Sequence, residues 1–154
     1  MRSSALVRVA ALVVAVGLAC LVIFQLALIA GAPLGRAAWG GTQIRLSTSL
    51  RVASVGSILI YGLGILVVLR RAGFRIGWIP PVFARWGTWA LAIILTLSAL
   101  INFLSQSPWE RFLMGPAALL LAALSVFIAH RETADIVASS AKPQDLATGH
   151  RRTG

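Results

Sequence analysis

The sequence predicts an all-α protein: a bundle of four transmembrane helices with both termini in the cytoplasm. Three observations carry this. Of 154 residues, 58% are hydrophobic and only 12% charged, about half the charged share of an ordinary soluble domain. Four apolar runs approach or exceed the roughly 18 residues that a helix needs to cross hydrocarbon. All five tryptophans, at positions 39, 78, 86, 89 and 109, fall at or beyond the ends of those runs, where interfacial aromatics belong. The four-span domain covers residues 1–138, and a polar segment, 139–154, rich in Ser, Thr, Gly and charge, is expected to be a disordered tail.

Span 1 is Val9–Ala30, preceded by Arg2 and Arg8. Its 22 residues reach about 33 Å at 1.5 Å rise, a full crossing. A secretory h-region stops after roughly 7–15 residues, so the run reads as a retained helix. Gly31 suits its C-terminal cap, and Pro33 prevents continuation.

Loop 1, Gly31–Arg51, carries Arg36, Arg45, Arg51 and Trp39 and no acid. It is expected to be a solvated, flexible linker, with arginines able to meet anionic headgroups. Ser47, Thr48 or Ser49 would cap span 2, Val52–Leu69, which Arg70-Arg71 closes.

Small residues recur at four-residue spacing in both spans: Ala11, Ala15 and Ala19 in the first, Ala53, Ser57, Gly56 and Gly64 in the second. Such faces let helix backbones approach closely, within the chain or against a partner.

Loop 2, from Arg70 to Arg85, holds four arginines and Pro80-Pro81, which suit a turn and the first helical position. Span 3 is 86–104. Ser107-Pro108-Trp109-Glu110 then reads as a capping box, with Ser107 at the N-cap and Glu110 at N3. Span 4 is 112–129, and Gly115-Pro116 is expected to kink its first turns.

With the N-terminus inside, the cytoplasmic segments hold ten of the fourteen basic residues, against Arg36, Arg45, Arg51 and Arg111 outside. That bias sets the orientation. The net charge of +10 therefore lies between and beyond the spans, and no basic stripe with interleaved aromatics remains to suggest nucleic acid. All basic residues but Lys142 are arginine, in a chain rich in Ala and Leu. That composition resembles a GC-rich bacterial genome, which makes the plasma membrane the expected location.

By depth, the spans are polar mainly in their outward halves. Thr88 and Ser125 are alone in the inner halves, whereas Gln25, Ser54, Ser57, Ser98 and Asn102 lie in the outer ones, with Tyr61 and Thr96 near mid-depth. One reading is a polar pocket opening outward, lined by Gln25, Ser57, Ser98 and Asn102 with Arg36 or Glu110 at its rim. The other is that these groups hydrogen-bond between helices, each bond contributing about 0.6 kcal/mol. The blank inner half argues against an ion path, and no span contains Asp, Glu, Lys or His to relay a proton.

No catalytic constellation is expected. Glu110 has no second acid or histidine on its side, and the serines lack a His/Asp pair on theirs. His130 and His150, with no cysteine beside them, do not make a metal site. Cys20 is the single cysteine, which excludes a CxxC pair. No cofactor is implied.

GAPLGRAAWGG after span 1, Arg51 opening span 2, and NFLSQSPWERFLMGP between spans 3 and 4 resemble uncharacterised small four-span integral membrane proteins of actinobacteria and related bacteria. The resemblance covers about residues 1–130. It implies the four-span architecture and brings no activity and no binding residues. Small multidrug transporters, with a glutamate in their first span, and thiol oxidoreductases with paired cysteines are not similar.

Two functions follow as expectations. The first is a non-enzymatic subunit of a membrane assembly, meeting a membrane-protein partner or a second copy through the small-residue faces. The second is a protein that binds or transports a small molecule or lipid through the outward pocket.

Overall fold

The structure, a computed structural model, describes residues 2–141, with side-chain surroundings for 5–130. Among the described residues it is helical, without strands. Four helices form the bundle: α1 (Arg2–Ile29), α2 (Thr48–Arg71), α3 (Pro81–Leu104) and α4 (Gly115–Ala141), the last entered through a π-helical turn at Glu110–Met114. Segments Ala5–Ile29, Thr48–Arg71, Pro81–Leu104 and Glu110–His130 are long and apolar enough to cross a membrane. Only 22–39% of each apolar window is buried. The rest faces outward as Leu, Val, Ile and Phe, the reverse of a soluble bundle.

The helices run longer than the expected spans because their end signals act early. Ser47 occupies the N-cap position of α2, and its carbonyl accepts the Arg51 N–H at 3.0 Å. Pro80 and Pro81 stand at the N-cap and first position of α3. α4 continues to Ala141, past the boundary expected at 138; residues 142–154 of the expected tail lie outside the described residues.

Two helices end in Schellman motifs. Gly31, at φ +89°, donates to Leu28 O while Ala32 N–H reaches Ala27 O. Gly73, at φ +84°, donates to Arg70 O while Phe74 N–H reaches Leu69 O.

In order around the bundle the helices run α1, α2, α3, α4, with the closest pairings α1 on α2 and α3 on α4. The main core joins Ala11, Val14 and Leu18 of α1 to Val67, Leu91 and Leu121 of the other three helices. It fills the half of the bundle that carries the chain's N-terminus and loop 2. At that end Arg71, buried, donates from Nη2 to the Ala129 carbonyl at 2.8 Å, tying α2 to α4. Arg8 lies over the Phe74 ring at 5.7 Å, and Trp89 meets His130 edge to face at 4.8 Å.

The small-residue faces are largely used inside the chain. Ala11 and Ala15 are buried, and Ala19, Ala53 and Ser57 are half-buried. A Cβ on Gly64 would lie 2.9 Å from Leu91 Cδ1 and 3.1 Å from Leu18 Cδ1, so this glycine lets three helices converge. Gly56 is different: it is exposed, with nothing near the position of a Cβ.

Candidate functional site

Loop 1 is a folded cap. Gly35 is buried because a side chain there would collide with the Gln43 carbonyl. Ala38 and Leu46 form a second small core with Leu28, against which Phe24 and Leu50 pack. The expected flexible linker is thus corrected: enough small and apolar residues sit among its arginines to bury part of the loop on the helix ends. Trp39, Gly40 and Gly41 follow one another at φ +54°, +85° and +70°. This run of left-handed residues turns the loop inward and aims the Gly40 N–H at one spot, while the Gly41 N–H bonds back to Ala38 O at 3.0 Å.

That spot holds Glu110. Its carboxylate is 6% exposed and accepts the Gly40 N–H at 3.1 Å from each oxygen. Ser105 donates its hydroxyl to the same carboxylate.

The expected capping box is therefore only half formed. Ser107 does act as N-cap: its carbonyl accepts Arg111 N–H at 3.0 Å, and its Oγ accepts Glu110 N–H at 3.4 Å. The reciprocal half is missing, because the Ser107 N–H goes to Ser105 Oγ at 3.0 Å and Glu110 reaches across to loop 1. Ser107 Oγ also donates to Arg36 O at 2.6 Å, a second tie between loop 1 and the start of the fourth span.

The π turn positions this carboxylate. Gly115 N–H bonds back to Glu110 O, five residues earlier, a widened turn placed just before Pro116. A proline ring clashes with the carbonyl four residues back and offers no N–H. The turn absorbs both effects at the entry to α4. Such π turns recur at functional sites.

Beneath the cap lies a cavity of about 1210 Å³, lined by all four helices. It holds Gln25, Ser57, Ser98, Asn102 and Glu110, five of the six residues selected as pocket candidates. Arg36 does not line it; its side chain is exposed while its carbonyl serves Ser107.

Depth sorts the lining. Gln25, Asn102 and Glu110 each lie within about one helical turn of the capped end. Val13, Leu95 and Leu121 line the deeper part, and from Gln25 to Val13 along α1 is about 18 Å. Exposed Val13, Val16 and Leu120 place an opening between α1 and α4, on the side a bilayer would cover. The cavity is polar at its capped end and mainly apolar below, where Tyr61 is the polar exception.

Hydrogen bonding separates the two sequence readings of the outer polar residues. Among the described residues, the side chains of Gln25, Ser98 and Asn102 make no hydrogen bond to another helix. Gln25 is 8% exposed, and its Oε1 has no hydrogen-bond partner. A buried amide left unpaired costs about 1–3 kcal/mol. The hydroxyls behave as helix hydroxyls do: Ser57, Thr88, Thr96 and Ser125 donate to the carbonyls of Ala53, Ala84, Ala92 and Leu121. Thr96 thus serves its own helix. Ser54 lies outside the cavity and accepts the Trp39 Nε1–H at 3.3 Å, a further anchor for loop 1.

Sequence reasoning missed the contribution of loop 1, since Ala38, Trp39 and Gly40 also line the cavity. The Trp-Gly-Gly triplet was the available signal. It also missed Cys20, which lines the cavity from α1. Among the described residues no group of three or more His, Cys, Asp or Glu could hold a metal ion. No family model, no curated protein and no solved structure matches the chain.

Proposed function

We propose that this chain is a multi-pass membrane protein that binds an amphiphilic small molecule or lipid in the cavity under loop 1, without catalysing a reaction on it. The carrying observation is the convergence of Gln25, Ser57, Ser98, Asn102 and Glu110 on one cavity, with the Gln25 amide buried and its oxygen unpaired. A polar head at the capped end would supply that missing partner, and an apolar tail would fill the cavity toward Leu95 and Leu121. The arginine bias supports an orientation with both termini inside and the capped end on the outer face, in keeping with the expected bacterial plasma membrane.

Native mass spectrometry of the protein extracted from its own membranes in mild detergent tests this reading. One retained small molecule or lipid per chain is expected, lost in Gln25→Leu and Asn102→Leu while their melting temperatures stay close to wild type. Equal loss of ligand and of folding would mark the two residues as structural and reject the proposal.

The subunit role keeps one supporting observation. Most of the small-residue face is occupied by the chain's own helices, but the strip of α2 around Gly56 is open. Loss of a stoichiometric protein partner in Gly56→Leu, with the monomer intact, would favour that role instead.

A further inference from the structure

The charge of the site narrows the ligand further, and this step rests on the cavity reading above. Glu110 is a buried carboxylate, and among the described residues it forms no ion pair; its partners are the Gly40 N–H and the Ser105 hydroxyl. Among the described residues no arginine or lysine lines the cavity. The basic side chains of the capped end are engaged elsewhere or face out: Arg111 donates to Ser105 O at 2.8 Å, Arg51 donates to Leu46 O at 3.2 Å, and Arg36 and Arg45 are exposed. The position of Glu110 at the start of the fourth span offsets part of its charge through the helix dipole, and among the described residues no cation pairs with it directly. A carboxylate accepts several hydrogen bonds at once. An unsatisfied acceptor of the cavity, Gln25 Oε1, lies at the same capped end.

We infer that the cavity selects a cationic amphiphile whose ammonium head carries N–H donors. Glu110 supplies the countercharge and Gln25 a neutral acceptor, while the Val13, Leu95 and Leu121 region takes the tail. An anionic head would face an uncompensated carboxylate in a water-poor site, and a neutral hydroxyl head would gain a hydrogen bond without charge assistance. The opening between α1 and α4 lets such a molecule enter from the bilayer, where amphiphiles of this kind concentrate.

The test uses three probes with one tail: dodecylammonium, dodecanol and dodecanoate. Binding is measured by equilibrium dialysis at neutral pH to the full chain in nanodiscs of zwitterionic lipid, subtracting empty discs. Dodecylammonium is expected to bind one per chain, about tenfold more tightly than dodecanol, with dodecanoate weakest. In Glu110→Gln, which keeps an acceptor for the Gly40 N–H, the ammonium preference is expected to vanish while dodecanol binding persists. Equal binding of ammonium and alcohol by the wild type would overturn the inference and leave the cavity reading standing. So would an ammonium preference that survives Glu110→Gln. Binding of no probe above empty discs would reject the cavity reading itself, and the inference with it. Should Glu110→Gln fail to fold, the wild-type series decides alone.

Discussion

The Gly40 backbone N–H is shared by both carboxylate oxygens of Glu110, 3.1 Å from each, across 70 residues of chain. This contact fastens loop 1 to the start of the fourth span and closes the cavity above Gln25. Together with the Ser105 hydroxyl and the start of the helix, it lets a buried carboxylate stand there.

The cap depends on glycine in a position-specific way. A Cβ on Gly41 would lie 2.8 Å from Ser107 Cβ and 2.9 Å from the Arg36 carbonyl, whereas one on Gly40 would meet nothing. Both residues are left-handed, so an alanine at either carries a conformational cost of about 1–2 kcal/mol. Only Gly41→Ala adds a collision. It is expected to lower the melting temperature and expose loop 1 to protease clearly more than Gly40→Ala. Equal effects of the two would show that the Ser107 contact is not tight.

Gly64→Leu and Gly56→Leu should behave differently in the monomer. The first drives a side chain into Leu91 and Leu18 and is expected to destabilise the bundle by about 1–3 kcal/mol or more. The second meets open space and should leave thermal stability in detergent unchanged. A stable Gly64→Leu bundle would contradict the three-helix packing at that glycine.

At the other end, Arg71→Met removes a buried charged donor from the Ala129 carbonyl. Hydrogen bonds to charged groups contribute about 1.5–3 kcal/mol. A melting temperature lower by several degrees is expected, with ligand binding under loop 1 retained because the two sites lie at opposite ends. Loss of binding at unchanged stability would contradict that separation.

The four helices were legible because bilayer thickness imposes run length, and their ends because Gly31, Pro80-Pro81 and Ser107 act locally. The pocket residues were legible through depth: Gln25, Ser57, Ser98 and Asn102 are polar in the outward halves of three separate spans. Depth cannot tell a shared cavity from interhelical pairing, since that depends on how α1 and α4 splay. Glu110 shows a different limit. Its spacing from Ser107 satisfies the capping box, yet a carboxylate takes the better-aimed donor, and Gly40 is brought to it only by a loop whose fold no local pattern announces. Arg36 misled for the mirror reason. Its backbone carbonyl serves the site while its side chain points away.

Occupancy of the cavity is the central claim, and Cys20 allows it to be read directly. Both this single cysteine and Ile23, nearby on α1, are exposed, but only Cys20 lines the cavity. The measurement is the labelling rate by a small maleimide in nanodiscs, for the wild type and for Cys20→Ala/Ile23→Cys, with and without dodecylammonium. The account predicts that the amphiphile slows labelling at Cys20 in a saturable way and leaves position 23 unaffected. Equal slowing at both positions, or none at either, would mean that the amphiphile partitions only into the surrounding lipid, and would contradict it.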